Sequence, residues 1–213
     1  GEGAEVALVG SVDMAKAEAV AARIEAAGGT AKPYVGDLSQ VSEIAKLVAA
    51  VKADFGRIDI LVNSAGLFYP TPVGATSEAD YDRMMDINLK GMFFSIHEVA
   101  PIMIAQGRGR IINISSVAGV MALGTYSAYC AAKAGLEGMS RALVEELRPK
   151  GIRVTVLRPG ATATRMWEAI PGEYDMDKMI PPEAVAESLE HLLTQSRRAW
   201  TETLVLYPPD GKV

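Results

Sequence analysis

Tyr129-Cys-Ala-Ala-Lys133 sets a phenol and an ammonium four residues apart. The stretch around them is helical in character, so the two side chains share one face. A phenol with a pKa near 10 is a poor acid or base at neutral pH. An ammonium within ~4–6 Å favours the phenolate and lowers that pKa. The pair therefore reads as a tuned proton donor and acceptor. Tyr126 lacks this arrangement, because four positions on stands Cys130. Ser115 and Ser116 close an apolar run thirteen or fourteen residues before Tyr129. A hydroxyl there is placed to hydrogen-bond a substrate oxygen that Tyr129 protonates. The alternative is a pair of serines capping the next turn.

Short apolar runs alternate with longer helical segments and must position these groups. Glu5–Val9, Thr30–Val35, Asp59–Asn63, Arg110–Ile114, Ile152–Leu157 and Thr201–Leu206 read as strands. Between them, helices are expected over Asp13–Ala27, from Ser39 or Ser42 to Phe55, from Ser77 to Gln106, over Ser127–Arg148 and over Pro182–Gln195. Strands alternating with helices of this length imply parallel pairing with helical crossovers. Near-continuous apolar strands imply burial on both faces. The expected class is α/β, a doubly wound parallel sheet in a single domain over residues 1–213. Such sheets bind ligands beyond the carboxyl ends of their strands. The residues standing there are Gly10-Ser11, Gly36-Asp37-Leu38, Asn63-Ser-Ala-Gly66, Ser115-Ser116 and Arg158-Pro159-Gly160.

In this order and spacing the chain resembles the short-chain dehydrogenase/reductase family, most of all its 3-oxoacyl-carrier-protein reductase type. The resemblance rests on Asp37-Leu38, Asn63-Ser-Ala-Gly66, Asn88-Leu-Lys-Gly, Ile114-Ser-Ser-Val-Ala-Gly119, Tyr129-xxx-Lys133 and Pro159-Gly160 with Thr164. It covers nearly the whole chain. It implies a Rossmann-like fold and hydride transfer on a nicotinamide cofactor, the protein supplying position and a proton. It implies that Tyr129 is the acid/base and that Lys133 lowers its pKa and holds the nicotinamide ribose. It implies that Ser116 orients the carbonyl and that Asn88 anchors a relay water. Asp37 and Leu38 would meet the adenine, and Asn63, Ala65 and Gly66 would line the adenosine side. Pro159, Gly160, Thr162 and Thr164 would flank the nicotinamide. A small-molecule carbonyl or alcohol substrate and a homodimer or homotetramer built through the long helices follow from the same resemblance.

The sequence departs from the family in two places. No GxxxGxG or GxGxxG occurs, although that loop and the helix after it normally receive the pyrophosphate. Gly1-Glu-Gly-Ala-Glu-Val looks like the entry to the family's second strand, so the first strand and the glycine-rich loop are expected to precede Gly1, some 25–30 residues for one βα unit. In addition, Gly10-Ser11 follows the first apolar run where NAD users carry an acid for the ribose 2′-hydroxyl. The nearest acid, Asp13, comes late. Ser11 thus tilts the expectation toward NADP over NAD.

The remaining composition excludes several other classes. Lys+Arg number 21 against 26 Asp+Glu, a net charge of −5 that argues against nucleic-acid binding. One cysteine and two distant histidines argue against a disulfide framework or a metal site. No run is long enough to span a membrane and no leader pattern opens the chain, so the expected address is the cytoplasm. Asn113-Ile-Ser115 matches a glycosylation sequon inside a strand and is read as a chance match. Cys130 and most methionines read as packing, while Met166-Trp167 reads either as a lid over substrate or as packing. Two other functions compete with an oxidoreductase. Sugar-nucleotide epimerases share a Tyr-xxx-Lys pair but carry a larger C-terminal region than the stretch after Pro159. A non-catalytic Rossmann-like binding or sensor module would explain the missing loop but not the retained Tyr129, Lys133, Ser116 and Asn88.

Overall fold

The computed structural model describes residues 3–11, 13–196 and 198–211. Part of the Gly1 entry stretch, and the ends of the expected 1–213 domain, therefore lie outside the described residues. Among the described residues six strands and six α-helices follow one another in the order β1 (Glu5–Gly10), α1 (Met14–Ala26), β2 (Thr30–Val35), α2 (Val41–Phe55), β3 (Ile60–Asn63), α3 (Glu78–Met85), α4 (Gly91–Gln106), β4 (Gly109–Ile114), α5 (Ser127–Leu147), β5 (Ile152–Pro159), α6 (Pro182–Thr194) and β6 (Thr203–Leu206). All pairings between these strands are parallel. The architecture is the expected α/β, Rossmann-like one. The ladder runs in two pieces, β1-β2 and β3-β4-β5-β6, and β1 and β3 do not pair with each other.

Adjacent residues of β4 point to opposite faces, and both faces are covered. Ile111 joins a core with Ile44 and Val48 of α2, Ile96, Val99 and Met103 of α4, and Val144 and Leu147 of α5. Ile112 packs the other way, with Leu157 of β5 and Leu192 of α6. The packing of α2 on α4 ties the β1-β2 piece to the rest. At Gly91 the backbones come so close that a Cβ would collide with the Leu38 carbonyl oxygen.

Local signals account for most boundaries. Asp13 caps α1 by accepting from the Lys16 N–H, and Ser77 caps α3 by accepting from the Asp80 N–H. Gly56, in the left-handed region at φ 71°, stops α2. The expected serine cap of α2 is wrong: Gln40 stands at that position and makes no side-chain cap. Ser39 is instead part of the preceding turn, its N–H donating to Asp37. The expected long helix from Ser77 to Gln106 is interrupted by a π turn over Asp86–Lys90. Such turns often mark functional positions, and this one carries Asn88.

Candidate active site

Helix α5 brings Tyr129 and Lys133 to the carboxyl end of β4. Its start is held from a distance by Thr71, which is buried. The Thr71 hydroxyl accepts from the Ala128 N–H at 3.2 Å, and the Thr71 N–H donates to the Thr125 carbonyl. Thr125 itself sits at φ 67°, a conformation that only surrounding structure enforces on a threonine. The sequence gives no local sign of this cap, because the two segments are more than fifty residues apart.

Ser115 and Ser116 leave β4 side by side and diverge. The Ser116 hydroxyl accepts from the Ala118 N–H at 3.2 Å, and Ser116 lines the same cavity as Tyr129. The capping and substrate-facing readings of this serine are thus compatible. Ser115 is buried, and its Oγ has no hydrogen-bond partner. An orphaned hydroxyl in a cavity wall is what a site keeps for something bound there.

Burial pushes the Tyr129 phenol above its ordinary value, and the Ser116 hydroxyl acts in the opposite direction. The Lys133 ammonium lies 5.7 Å from the centre of the Tyr129 ring and donates to the Ile114 carbonyl at 3.0 Å. Burial lowers Lys133 to about 8, with Glu137 opposing the shift. Glu137 is buried too, and Arg158 holds it with two parallel hydrogen bonds of 2.9 and 2.8 Å. Arg158 immediately precedes Pro159-Gly160, so one ion pair fixes both the back of Lys133 and the root of that turn. Glu137 and Arg158 were not singled out from the sequence, since only the fold brings them together.

Asn88 is fully buried on the π turn. Its side-chain amide donates to the carbonyls of Leu67 and Met84, each at 3.0 Å, and its Oδ1 accepts from the Leu67 N–H. It therefore pins the Gly66-Leu67 segment beside Lys133. A Cβ on Gly66 would come within 3.1 Å of Asn88 Oδ1 and 3.9 Å of Lys133 Nζ. Glycine keeps that space open.

These groups surround a cavity of about 430 Å³. Among the expected site residues, Gly66, Asn88, Ser116, Tyr129, Lys133, Pro159, Gly160, Thr162 and Thr164 line it. Ser11, Asp37, Leu38, Asn63 and Ala65 do not. Asp37 accepts from the Ser39 N–H, which holds its carboxyl below the usual range. Leu38 packs on the α2–α4 core. Asn63 is buried in a polar chain, donating to Asn113, whose amide donates to Ser140 on α5. Asn113, the sequon residue, is wholly buried. Trp167 and Met166 line the cavity from a short 3-10 turn. Among the described residues no cluster suited to a metal ion occurs, and no helix is long and apolar enough to cross a membrane.

The cavity can place a carbonyl oxygen between two hydroxyls and hold a flat group against Gly66 and Pro159-Gly160. The residues around Gly66, Ser115 and Lys133 suit the nicotinamide–ribose half of a dinucleotide. Residues 1–175 match the family described as short chain dehydrogenase. The chain is 37% identical over 174 residues to a galactitol 2-dehydrogenase of Agrobacterium fabrum, 81% of this chain and 66% of that one. It thus spans just under two thirds of that relative's length. It is 36% identical over 190 residues to a 3-oxoacyl-[acyl-carrier-protein] reductase of Synechocystis, 86% of this chain and 76% of that one. The crystal structure of a metagenomic short-chain oxidoreductase in complex with NADP matches with a TM-score of 0.84 at 34% identity, covering 96% of this chain and 86% of that one. The chain belongs to the short-chain dehydrogenase/reductase family of NAD(P)-dependent oxidoreductases.

Proposed function

We propose that the chain transfers hydride between NADPH and a small carbonyl compound or secondary alcohol, with Tyr129 as the acid/base. The observation that carries this reading is that Tyr129, Ser116 and Lys133 line one cavity together with Pro159-Gly160. The bound nicotinamide supplies the hydride. Ser116 and Tyr129 hold the substrate oxygen by hydrogen bonds that strengthen as negative charge grows on it. Tyr129 then gives up its proton to that oxygen. Lys133, buried and of lowered pKa, holds the ribose and feeds the proton path, whose far end Asn88 keeps in place. Pro159, Gly160, Thr162 and Thr164 flank the nicotinamide. Asn63, Ala65 and Gly66 stand toward the adenosine, with Asp37 and Leu38 toward the adenine.

NADPH is preferred over NADH because Ser11, directly after β1, brings no charge to repel a 2′-phosphate. Asp13 does not serve that position, since its carboxylate caps α1 and pairs with Lys16. The proposal includes a cytoplasmic homodimer or homotetramer of one Rossmann-like domain per chain, and exposed Phe93 on α4 supports association through the long helices. Titration with NADPH and NADH, followed by nicotinamide fluorescence, tests the reading. NADPH should bind more tightly, and Ser11→Asp should swing preference toward NADH. No binding of either nucleotide, with no carbonyl reduced, would return the chain to a non-catalytic binding or sensor module.

A further inference from the structure

One wall of the cavity is built from aromatic rings. Phe68 stacks on Tyr126 with ring centres 4.5 Å apart, and it meets Tyr129 edge-on at 4.8 Å and Trp167 at 5.6 Å. Tyr174 backs Trp167 at 4.6 Å. The Trp167 indole N–H is committed to the Thr162 carbonyl at 2.8 Å. With its single donor used, the ring offers the cavity only apolar surface. Leu123 completes this wall.

The lining carries several hydroxyls, but Lys133 is the one charged side chain among its described residues, and its ammonium donates to the Ile114 carbonyl. A carboxylate or phosphate lying against the rings would be desolvated with no charged group in that wall to pair with it. A polyhydroxylated chain would press hydroxyls against rings that cannot hydrogen-bond them, so part of its hydration would be lost without replacement. The Agrobacterium fabrum relative is named for a polyol. The wall in this chain argues for a different class.

We propose that the substrate is a neutral ketone, or the matching secondary alcohol, that carries a flat apolar group. The group lies against Phe68, Leu123 and Trp167, and the oxygen lies at Ser116 and Tyr129. This rests on the oxidoreductase reading above. In reduction the carbonyl carbon gains a hydride, two electrons and one hydrogen, from a reduced nicotinamide. The carbon–oxygen π bond breaks and the oxygen takes the Tyr129 proton. One proton from solvent restores Tyr129, leaving an alcohol and the oxidised nicotinamide. Aromatic rings select flat apolar groups by contact area and by edge and stacking geometry, which an aliphatic or hydrated group does not reproduce.

Three ketones separate the possibilities: propiophenone, benzoylformate with the same ring beside a carboxylate, and erythrulose, which is neutral and hydroxylated. NADPH consumption gives kcat/KM, and saturation-transfer NMR reports binding without turnover. Propiophenone should exceed both others by at least about tenfold in kcat/KM, the low end of the discrimination that one buried methylene group supplies. Trp167→Ala should collapse that preference, and Trp167→Phe should keep most of it. Phe68→Leu serves as a second probe if Trp167→Ala folds poorly, and it should lower the preference as well. Faster reduction of benzoylformate or erythrulose, or a preference untouched by both variants, overturns the proposal. If no ketone is reduced yet propiophenone binds and Trp167→Ala abolishes that binding, the oxidoreductase reading fails while the aromatic pocket stands. If propiophenone neither binds nor reacts while erythrulose is reduced, the pocket proposal alone fails.

Discussion

Strands β4 and β5 and strands β1 and β2 are both parallel pairs, yet their surroundings differ. β4 and β5 each have ladder partners on both sides and helices on both faces, and most of their residues are buried. β1 pairs only with β2, none of its residues is fully buried, and Val9 is 45% exposed. Ile60, on the β3 edge, is 39% exposed. The groups that handle protons and oxygen stand on the braced half. Of those expected toward the adenine and adenosine, Ser11, Asp37 and Leu38 leave the lightly braced half, whereas Asn63, Ala65 and Gly66 stand at the end of β3. Chemistry that depends on sub-ångström placement sits where packing fixes it.

The largest effect on this contrast should come from the braced half. Tyr129→Phe removes one hydroxyl and little volume, so nucleotide binding should persist while carbonyl reduction falls by about 10³-fold or more, within the range for general acid loss. Steady-state NADPH oxidation, with nucleotide titration as control, checks it. Ser116→Ala should cost far more than Ser115→Ala, and equal losses would mean that the other serine orients the carbonyl.

Arg158→Met tests how the braced half is held. It leaves Glu137 buried without its partner, and breaking such a pair by removing one member costs about 3–5 kcal/mol. Urea denaturation should show that loss, whereas Lys16→Met, at an exposed ion pair with Asp13, should change stability by less than about 1 kcal/mol. Comparable losses would erase the distinction between the halves.

Hydrogen exchange sharpens the same point without mutation. Amides of β4 and β5 should exchange only by global opening, and those of β1 and β2 by cheaper local opening. Equal protection across both pairs would contradict the comparison.

The smallest predicted effect concerns pH. Lys133 loses its proton near pH 8 in the folded chain and near 10.5 when unfolded. Between those values the unfolded chain binds more protons, so this residue makes stability rise with pH. Relative to Lys133→Met, unfolding free energy should climb by about 1–3 kcal/mol from pH 8 to pH 10. A flat or falling difference would mean that Lys133 is not held at a lowered pKa.

The sequence carried the alternation of elements because apolar runs and caps are local: Asp13, Ser77 and Gly56 act within a few residues of the ends they set. It carried the proton-handling face because Tyr129 and Lys133 are one helical turn apart. The π turn at Asn88, the Thr71 cap on α5 and the Glu137–Arg158 pair were not legible. Each joins segments through tertiary contact, and none leaves a spacing in the chain.

The central claim is that hydride passes directly between a nicotinamide and the carbonyl carbon held at Ser116 and Tyr129. Incubation with NADPH deuterated at the transferable C4 position, followed by mass spectrometry of the alcohol, tests it most directly. One deuterium on the carbinol carbon with the unaltered chain, and next to no alcohol with Tyr129→Phe, is the predicted result. Alcohol without deuterium at that carbon, or labelled alcohol formed equally fast by Tyr129→Phe, would contradict it.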